Sequence, residues 1–288
     1  MKSLYYSLRS IFISVFIALS SGHAVAATNY SVTLLKDNAS AARSGSNAID
    51  IDPTGLVVGQ SFSSDFDNHA FVWFDTNSPT DLTPSIGYTE SAARAINSNQ
   101  EVVVSLTNGT SFVWSNGAQT DIVNSSGGSV SAYDINDASQ VVGSLGGSPT
   151  AGGNERAFIW DNGVMTDLGT LPGGGGSAAY AINNFGQVVG SAYDANGDEH
   201  AVIWNSGVIT DLGLLPGDVG SHADSINDAG VVVGVSYTTK QITSGGTVYT
   251  ITDVIRAFTW SNGVLTELDG AGSNANDINN AGQIVGSK

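Results

Sequence analysis

Residues Ala181 to Gly217 read AINNFGQVVGSAYDANGDEHAVIWNSGVITDLGLLPG, and nearly everything after residue 45 is a variation on this stretch. It divides into four short β runs, each ended by turn residues. Ala178 to Ile182 is the first run, and Asn183-Asn184-Phe185-Gly186 is a turn in which Asn bonds nearby backbone and Gly accepts positive φ. Gln187 to Ala192 is the second run, followed by the loop Asp194 to Glu199. His200 to Trp204 is the third, and Asn205-Ser206-Gly207 is a tight hairpin signal leading into the fourth, Val208 to Leu215. Four strands in about 44 residues is the dimension of one propeller blade.

The unit recurs along the chain. Ile-Asn or Ile-Asp anchors fall at Ile51, Ile96, Ile135, Ile182, Ile226 and Ile278, spaced by 45, 39, 47, 44 and 52 residues. The tryptophans keep the same register, with Trp73, Trp114, Trp160, Trp204 and Trp260 one to each complete unit, which marks them as structural anchors. Units are expected at about 45–83, 84–123, 124–171, 172–215 and 216–270, with a partial unit at 271–288. In His69-Ala70-Phe71-Val72-Trp73, strand alternation puts His69, Phe71 and Trp73 on one face and Ala70 and Val72 on the other. A sheet apolar on both faces must be covered on both. Radial packing does this by setting the aromatics of one blade against small or branched residues of the next. The Gly that closes each Val-Val-Gly run is read as room for an adjacent indole. The fold class is therefore all-β, a propeller-like ring of about six four-stranded antiparallel blades with the last incomplete. Tyr30 to Leu35 resembles a fourth strand standing before any first strand. It is expected to join the strands of 274–288 in a blade shared by both termini, with its third strand missing and the chain truncated at Lys288.

Composition agrees with an ordered, turn-rich β protein: 36 Gly in 288 residues, 41% hydrophobic and 12% charged. With no cysteine, neither disulfides nor a thiolate nucleophile nor a Cys-ligated zinc is available. Residues 1–26 read as a secretory signal peptide. Lys2 and Arg9 flank a short n-region, Ile11 to Leu19 is an apolar core too short to span a bilayer, and Ala24-Val25-Ala26 is an A-x-A cleavage site. Cleavage leaves seven basic side chains against 26 acidic ones, a mature net charge of −19. That balance opposes nucleic acid and anionic surfaces and favours cations. Localisation is expected to be secreted or cell-surface, with residues 27–288 forming one soluble, monomeric domain that carries no membrane span.

HAFVW at His69 to Trp73, NGVMTDLGTLPGG at Asn162 to Gly174 and AINNFGQVVG at Ala181 to Gly190 together are similar to the HAF family of bacterial extracellular repeat proteins. The likeness covers about residues 45–288, and it is most complete from Ala157 to Gly173. It implies an exported repeat protein with a propeller-like fold. Family members often carry a C-terminal sorting tail, which these residues do not contain. Two departures matter. The unit around Ile96 has Gln100 in place of the usual Gly and Val104 in place of the closing Gly, and its third strand begins Thr110-Ser111-Phe112, so that blade is degenerate. The family's His stands at His69 and His200, while Arg156 and Arg256 replace it elsewhere, which suits a polar cap at the strand entrance better than a metal ligand.

The chain carries few motifs of chemistry. Gly173 to Gly176 lacks a following G-K-[ST] and reads as a connection between blades. Neither H-E-x-x-H, G-x-S-x-G nor a full EF-hand pattern occurs. No cofactor is expected. Calcium is the one cation for which loops offer oxygen ligands, at Asp65 and Asp67 and at Asp194, Asp198 and Glu199. The acids of the T-D-L runs (Asp81, Asp121, Asp167, Asp211, with Glu267) recur once per blade and read as folding residues.

The preferred function is a non-enzymatic extracellular binding or structural module. Its partner would be a polysaccharide or an extracellular protein, bound on loops between the second and third strands, whose lengths vary most. The longest, Val235 to Ile255, is expected to be a protruding hairpin with Tyr237 and Tyr249 exposed on it. The alternative is a polysaccharide hydrolase or lyase, which a carboxylate pair in the central channel would favour over a channel of small or apolar residues.

Overall fold

The computed structural model describes residues 45–62, 68–74, 79–83, 90–125, 127–146, 155–244 and 247–288. The first sheet holds β1 (Ser46–Ile51), β2 (Val57–Phe62), β3 (Asn68–Trp73) and β4 (Pro79–Asp81). The second holds β5 (Ser91–Ile96), β6 (Val102–Leu106), β7 (Ser111–Ser115) and β8 (Ala118–Ile122). The third is β9 (Val130–Ile135), β10 (Val141–Leu145), β11 (Arg156–Asp161) and β12 (Val164–Asp167). β13 (Ser177–Ile182), β14 (Val188–Tyr193), β15 (Glu199–Asn205) and β16 (Val208–Gly213) form the fourth. β17 (Gly220–Ile226), β18 (Val232–Ser244), β19 (Thr247–Ser261) and β20 (Val264–Ala271) form the fifth. The sixth has two strands among the described residues, β21 (Asn274–Ile278) and β22 (Ile284–Ser287). Each sheet is an antiparallel meander in chain order. The first strands of successive sheets touch one another, and residues of all six units line one axial opening of about 430 Å³. This is a propeller-like ring. The expected strand at Tyr30 to Leu35 lies outside the described residues.

The hairpin signal before the fourth strand is borne out in the second to fifth blades. Asn162 and Gly163 both have positive φ, 48° and 87°, as do Ser206 and Gly207 at 50° and 79°, the conformation of a two-residue turn that matches strand twist. Blade packing follows the alternation. Ala70 and Val72 of the first blade pack with Ile96, Val102 and Phe112 of the second. Val142 and Ala157 of the third blade meet Val188, Val202 and Trp204 of the fourth. Ala201 and Ile203 of the fourth meet Phe258 and Trp260 of the fifth. Trp73 and Trp204 are each 1% exposed.

The closing Gly has a different cause from the one expected. A Cβ on Gly59, Gly143 or Gly190 would stand 2.0 Å from the carbonyl oxygen of Asn47, Ser131 or Ala178 on the neighbouring first strand. The backbone approach, rather than an indole, demands glycine there.

The turns after the first strands lace the blades together. Asn136 Oδ1 accepts the amides of Ala138 and Gln140, closing its own turn, while its Nδ2 donates to the Asn183 carbonyl of the next blade at 3.1 Å. Asn97, Asn183 and Asn227 repeat this, donating to the carbonyls of Asn136, Asn227 and Asn279. A second hydroxyl-based link runs near the other end. Ser91, Ser177, Ser221 and Ser273 accept the amides of Ala70, Ala157, Ala201 and Ala257 in the preceding blade. Between the second and third blades the pair is exchanged: Val130 takes the Ser place, and Ser111 takes the Ala place and donates to the Val130 carbonyl at 2.9 Å.

Candidate functional site

In all six sheets the pairing of first and second strands shifts register by one residue, a β-bulge two positions before the repeat Ile. The skipped residues are Ile49, Arg94, Tyr133, Tyr180, Asp224 and Asn276. Bulges re-aim a side chain and bend the strand. Those of the third and fourth blades, Tyr133 and Tyr180, meet a pair of rings of the fifth, His222 and Tyr237. The Tyr133 and Tyr180 rings lie 5.9 Å apart, Tyr180 lies edge-on to His222 at 6.3 Å, and His222 is 6.5 Å from Tyr237. The result is a continuous arc of four rings across the third to fifth blades.

Polar groups hold and edge the arc. Tyr133 and Tyr180 hydroxyls pair with Ser144 and Ser191 at 3.2 and 3.3 Å. Tyr237 donates its hydroxyl to Glu199 at 2.8 Å. His222 Nδ1 is 4.0 Å from Glu199, and its Nε2 is 3.5 Å from Asp224. Burial pushes the Asp224 carboxyl up to about 6, against the pull of His222, and the Glu155 carboxyl up to about 7. Burial, with Glu199 beside it, also raises the Tyr237 phenol. Beyond Tyr133 the arc opens into a groove of about 580 Å³ with Gln60, Asn68, Glu90, Arg94 and Asn108 along it.

Deeper along the axis stand Asp50, Asp134 and Asp277, one residue before their repeat Ile. Asp134 accepts the amide of Ile135 and, across the joint, that of Ile182, both at 2.8 Å. Asp50 does the same for Ile51 and Ile96 at 2.7 and 2.8 Å. Asp277 accepts from Ile278 and from the Ser225 hydroxyl. Burial outweighs the amide bonds and raises Asp50 and Asp134, the latter to about 7. The axis thus carries carboxylates rather than a uniformly small or apolar lining, and these bind neighbouring blades to each other.

The residues expected to bind are distributed unevenly. Tyr237 is not exposed on a hairpin tip. It is half-buried because its ring covers Gly220, where an added Cβ would stand 2.4 Å from it, and because its hydroxyl reaches Glu199. Tyr249 is on the long β18–β19 hairpin and is 49% exposed. Tyr237 and Glu199 come together, and Tyr249 does not join them. Asp194 spends its oxygens on Asn196 and Asp198 of its own loop, which holds its carboxyl below the usual range, while Asp198 is exposed. Asp65 and Asp67 lie outside the described residues. Among the described residues no three His, Asp or Glu side chains converge to hold a metal.

The strand-entrance cap and the recurring acid turn out to be partners. His69 and His200 put Nδ1 2.9 and 2.8 Å from Asp81 and Asp211. Arg156 and Arg256 pair with Asp167 and Glu267 at 3.0 and 3.1 Å. Tyr133, Tyr180, His222, Asp224 and Glu155 were missed. The signal for Tyr133, Tyr180 and Asp224 was the variable place two before an otherwise constant Ile, filled in turn by Ile, Arg, Tyr, Tyr, Asp and Asn, and His222 and Glu155 had no such signal.

No family model matches the chain, and no curated protein does. Among solved structures, a gluconolactonase from Xanthomonas campestris is 12% identical, with a TM-score of 0.48, over 88% of this chain and 86% of that one. YCF48 bound to D1 peptide is 11% identical with a TM-score of 0.44, covering 92% and 97%. A chain of a mitotic checkpoint complex is 11% identical at 0.34, covering 100% and 98%. At these scores the architecture rests on the strand pairing itself.

Proposed function

We propose that this is an exported, non-enzymatic binding module that holds a polysaccharide along the arc of rings and the groove beyond it. The observation that carries the reading is the arc Tyr133, Tyr180, His222 and Tyr237 leading into the polar groove that ends at Asn68 and Glu90. Rings stack on the apolar C–H faces of sugars, and the amide and carboxylate groups beside them suit ring hydroxyls. The signal sequence at 1–26 supports an extracellular ligand. The test is titration of the intact protein with a panel of neutral, acidic and amino polysaccharides. Tyr180→Ala is expected to weaken the best ligand at least about tenfold, the scale of one lost aromatic platform. An unchanged affinity in a folded Tyr180→Ala protein would remove the arc from the site.

One observation favours the hydrolytic alternative. Asp224, raised to about 6, sits 3.5 Å from His222, which in turn is 4.0 Å from Glu199, so a carboxyl that keeps its proton to higher pH than usual lies near a second carboxylate. Release of new reducing ends from the bound polysaccharide, lost in Asp224→Asn while binding persists, would select that reading. Binding without turnover selects the module.

A further inference from the structure

The second blade lacks a cation that the other complete blades share and a leucine that the third and fourth share, and a cavity lies beside their places. At the entrance to the third strand the other complete blades carry His69, Arg156, His200 and Arg256, each paired with an acid of its own fourth strand. The second blade has Thr110 at this place, and Thr110 turns its hydroxyl to Asn108 at 2.7 Å. After the fourth strand the third and fourth blades bury Leu171 and Leu215, 8% and 4% exposed, against the blade that follows. The second blade continues from Ile122 as Val-Asn-Ser-Ser-Gly-Gly and has no leucine there.

The space is about 340 Å³. Its wall is apolar at Phe112, Ile122 and Val130, and its polar end is formed by Thr110, Gln119 and Asp121. Asp121 accepts Gln119 Nε2 at 2.6 Å and is the T-D-L acid that no Lys, Arg or His of the described residues pairs. The two missing groups, one apolar and one cationic, describe what would fit. We infer that this cavity binds an arginine side chain of a partner protein, its stem on the apolar wall and its guanidinium on Asp121. The sister blades provide the template, since Arg156 grips Asp167 through two nitrogens at 3.0 to 3.3 Å. The chain's net charge of −17 draws a basic partner toward it.

The probe is N-acetyl-arginine methylamide, whose one charge is the guanidinium, titrated into the intact protein with chemical shifts of labelled backbone amides as the readout. Saturable shifts are expected at Thr110, Gln119 and Asp121. N-acetyl-citrulline methylamide, of the same shape and without the charge, is expected to leave them in place. Asp121→Asn should weaken the probe at least about tenfold, the worth of one charge-assisted pair. Thr110→Arg places the guanidinium in the chain, as in the third blade, and should abolish the shifts while raising Tm. Equal shifts with citrulline, full affinity in Asp121→Asn, or binding that survives Thr110→Arg in a folded protein would each overturn the assignment. Leu106 and Gly109 line both this cavity and the groove beyond Tyr133, but Tyr180 lines neither, so Tyr180→Ala should leave this titration unchanged.

Discussion

His200 and Trp204 stand near the start and the end of the same short strand, and their surroundings rank them. The indole is 1% exposed between two blades, and Trp204→Ala should cost roughly 3 to 5 kcal/mol in urea unfolding. His200 pairs with an Asp211 that is 40% exposed, so His200→Ala should cost less than about 1 kcal/mol. The same change at His69, 1% exposed, should cost about 2 kcal/mol, because it takes a buried ring from Asp81 Oδ2 and leaves that carboxylate only its bonds from Thr83. Equal losses for Trp204→Ala and His200→Ala would contradict this ranking. The tryptophans were legible because a large aromatic at a fixed strand position has few roles other than packing. The His–Asp pairing was not read, although the material was there: a tight turn at Ser206-Gly207 folds residues 200 and 211 onto adjacent strands. The bulge residues were harder to see. Simple alternation gives each strand residue one of two faces, and a bulge breaks that count where the site is built.

At the scale of the blade, the joint is a set of directed polar links laid over apolar packing. Asn183 closes its own turn with Oδ1 and uses Nδ2 on Gln187 and on the Asn227 carbonyl. Asn183→Asp keeps the acceptor and loses the donor, leaving a carboxylate facing two oxygens, and should cost about 2 to 3 kcal/mol. The first blade shows how Asp is tolerated: Asp52 takes the Thr54 hydroxyl at 2.7 Å. Adding Phe185→Thr to Asn183→Asp should therefore recover about 1 kcal/mol. Urea melts of the single and double variants measure both steps, and a double variant no more stable than the single would refute the compensation. The Ile-Asn repeats were read as turns, which they are. Their cross-blade donors stayed hidden because that bond depends on how two blades are placed, and no periodicity within one unit encodes it.

The whole ring concentrates acid along its axis, so its stability should respond to pH. Asp134 is raised to about 7 in the folded protein against about 3.9 in an unfolded chain, which means the folded state favours the protonated form. Its contribution is fully present below the unfolded value and is lost as pH climbs through about 7. Between pH 8 and pH 6 it should add about 1 kcal/mol, and Asp224 and Glu155 act in the same direction. Thermal melts should show the native protein gaining stability over that interval and Asp134→Asn gaining about 1 kcal/mol less. Identical pH slopes for the two would exclude Asp134 as a titrating group. The exchange of Ser111 and Val130 has a consequence at the level of the gene. Most joints set the same donor and acceptor types against each other, so loss of one whole repeat by recombination brings together surfaces that already match. Excising the fourth unit, for example, would set Ala157 against Ser221, the pairing that Ala157 now has with Ser177. Excising the second would leave the Ala70 amide opposite Val130, and excising the third would set the Ser111 and Ser177 hydroxyls on each other. The second and third repeats are therefore heritable as a pair, while their neighbours are free to be duplicated or lost one at a time.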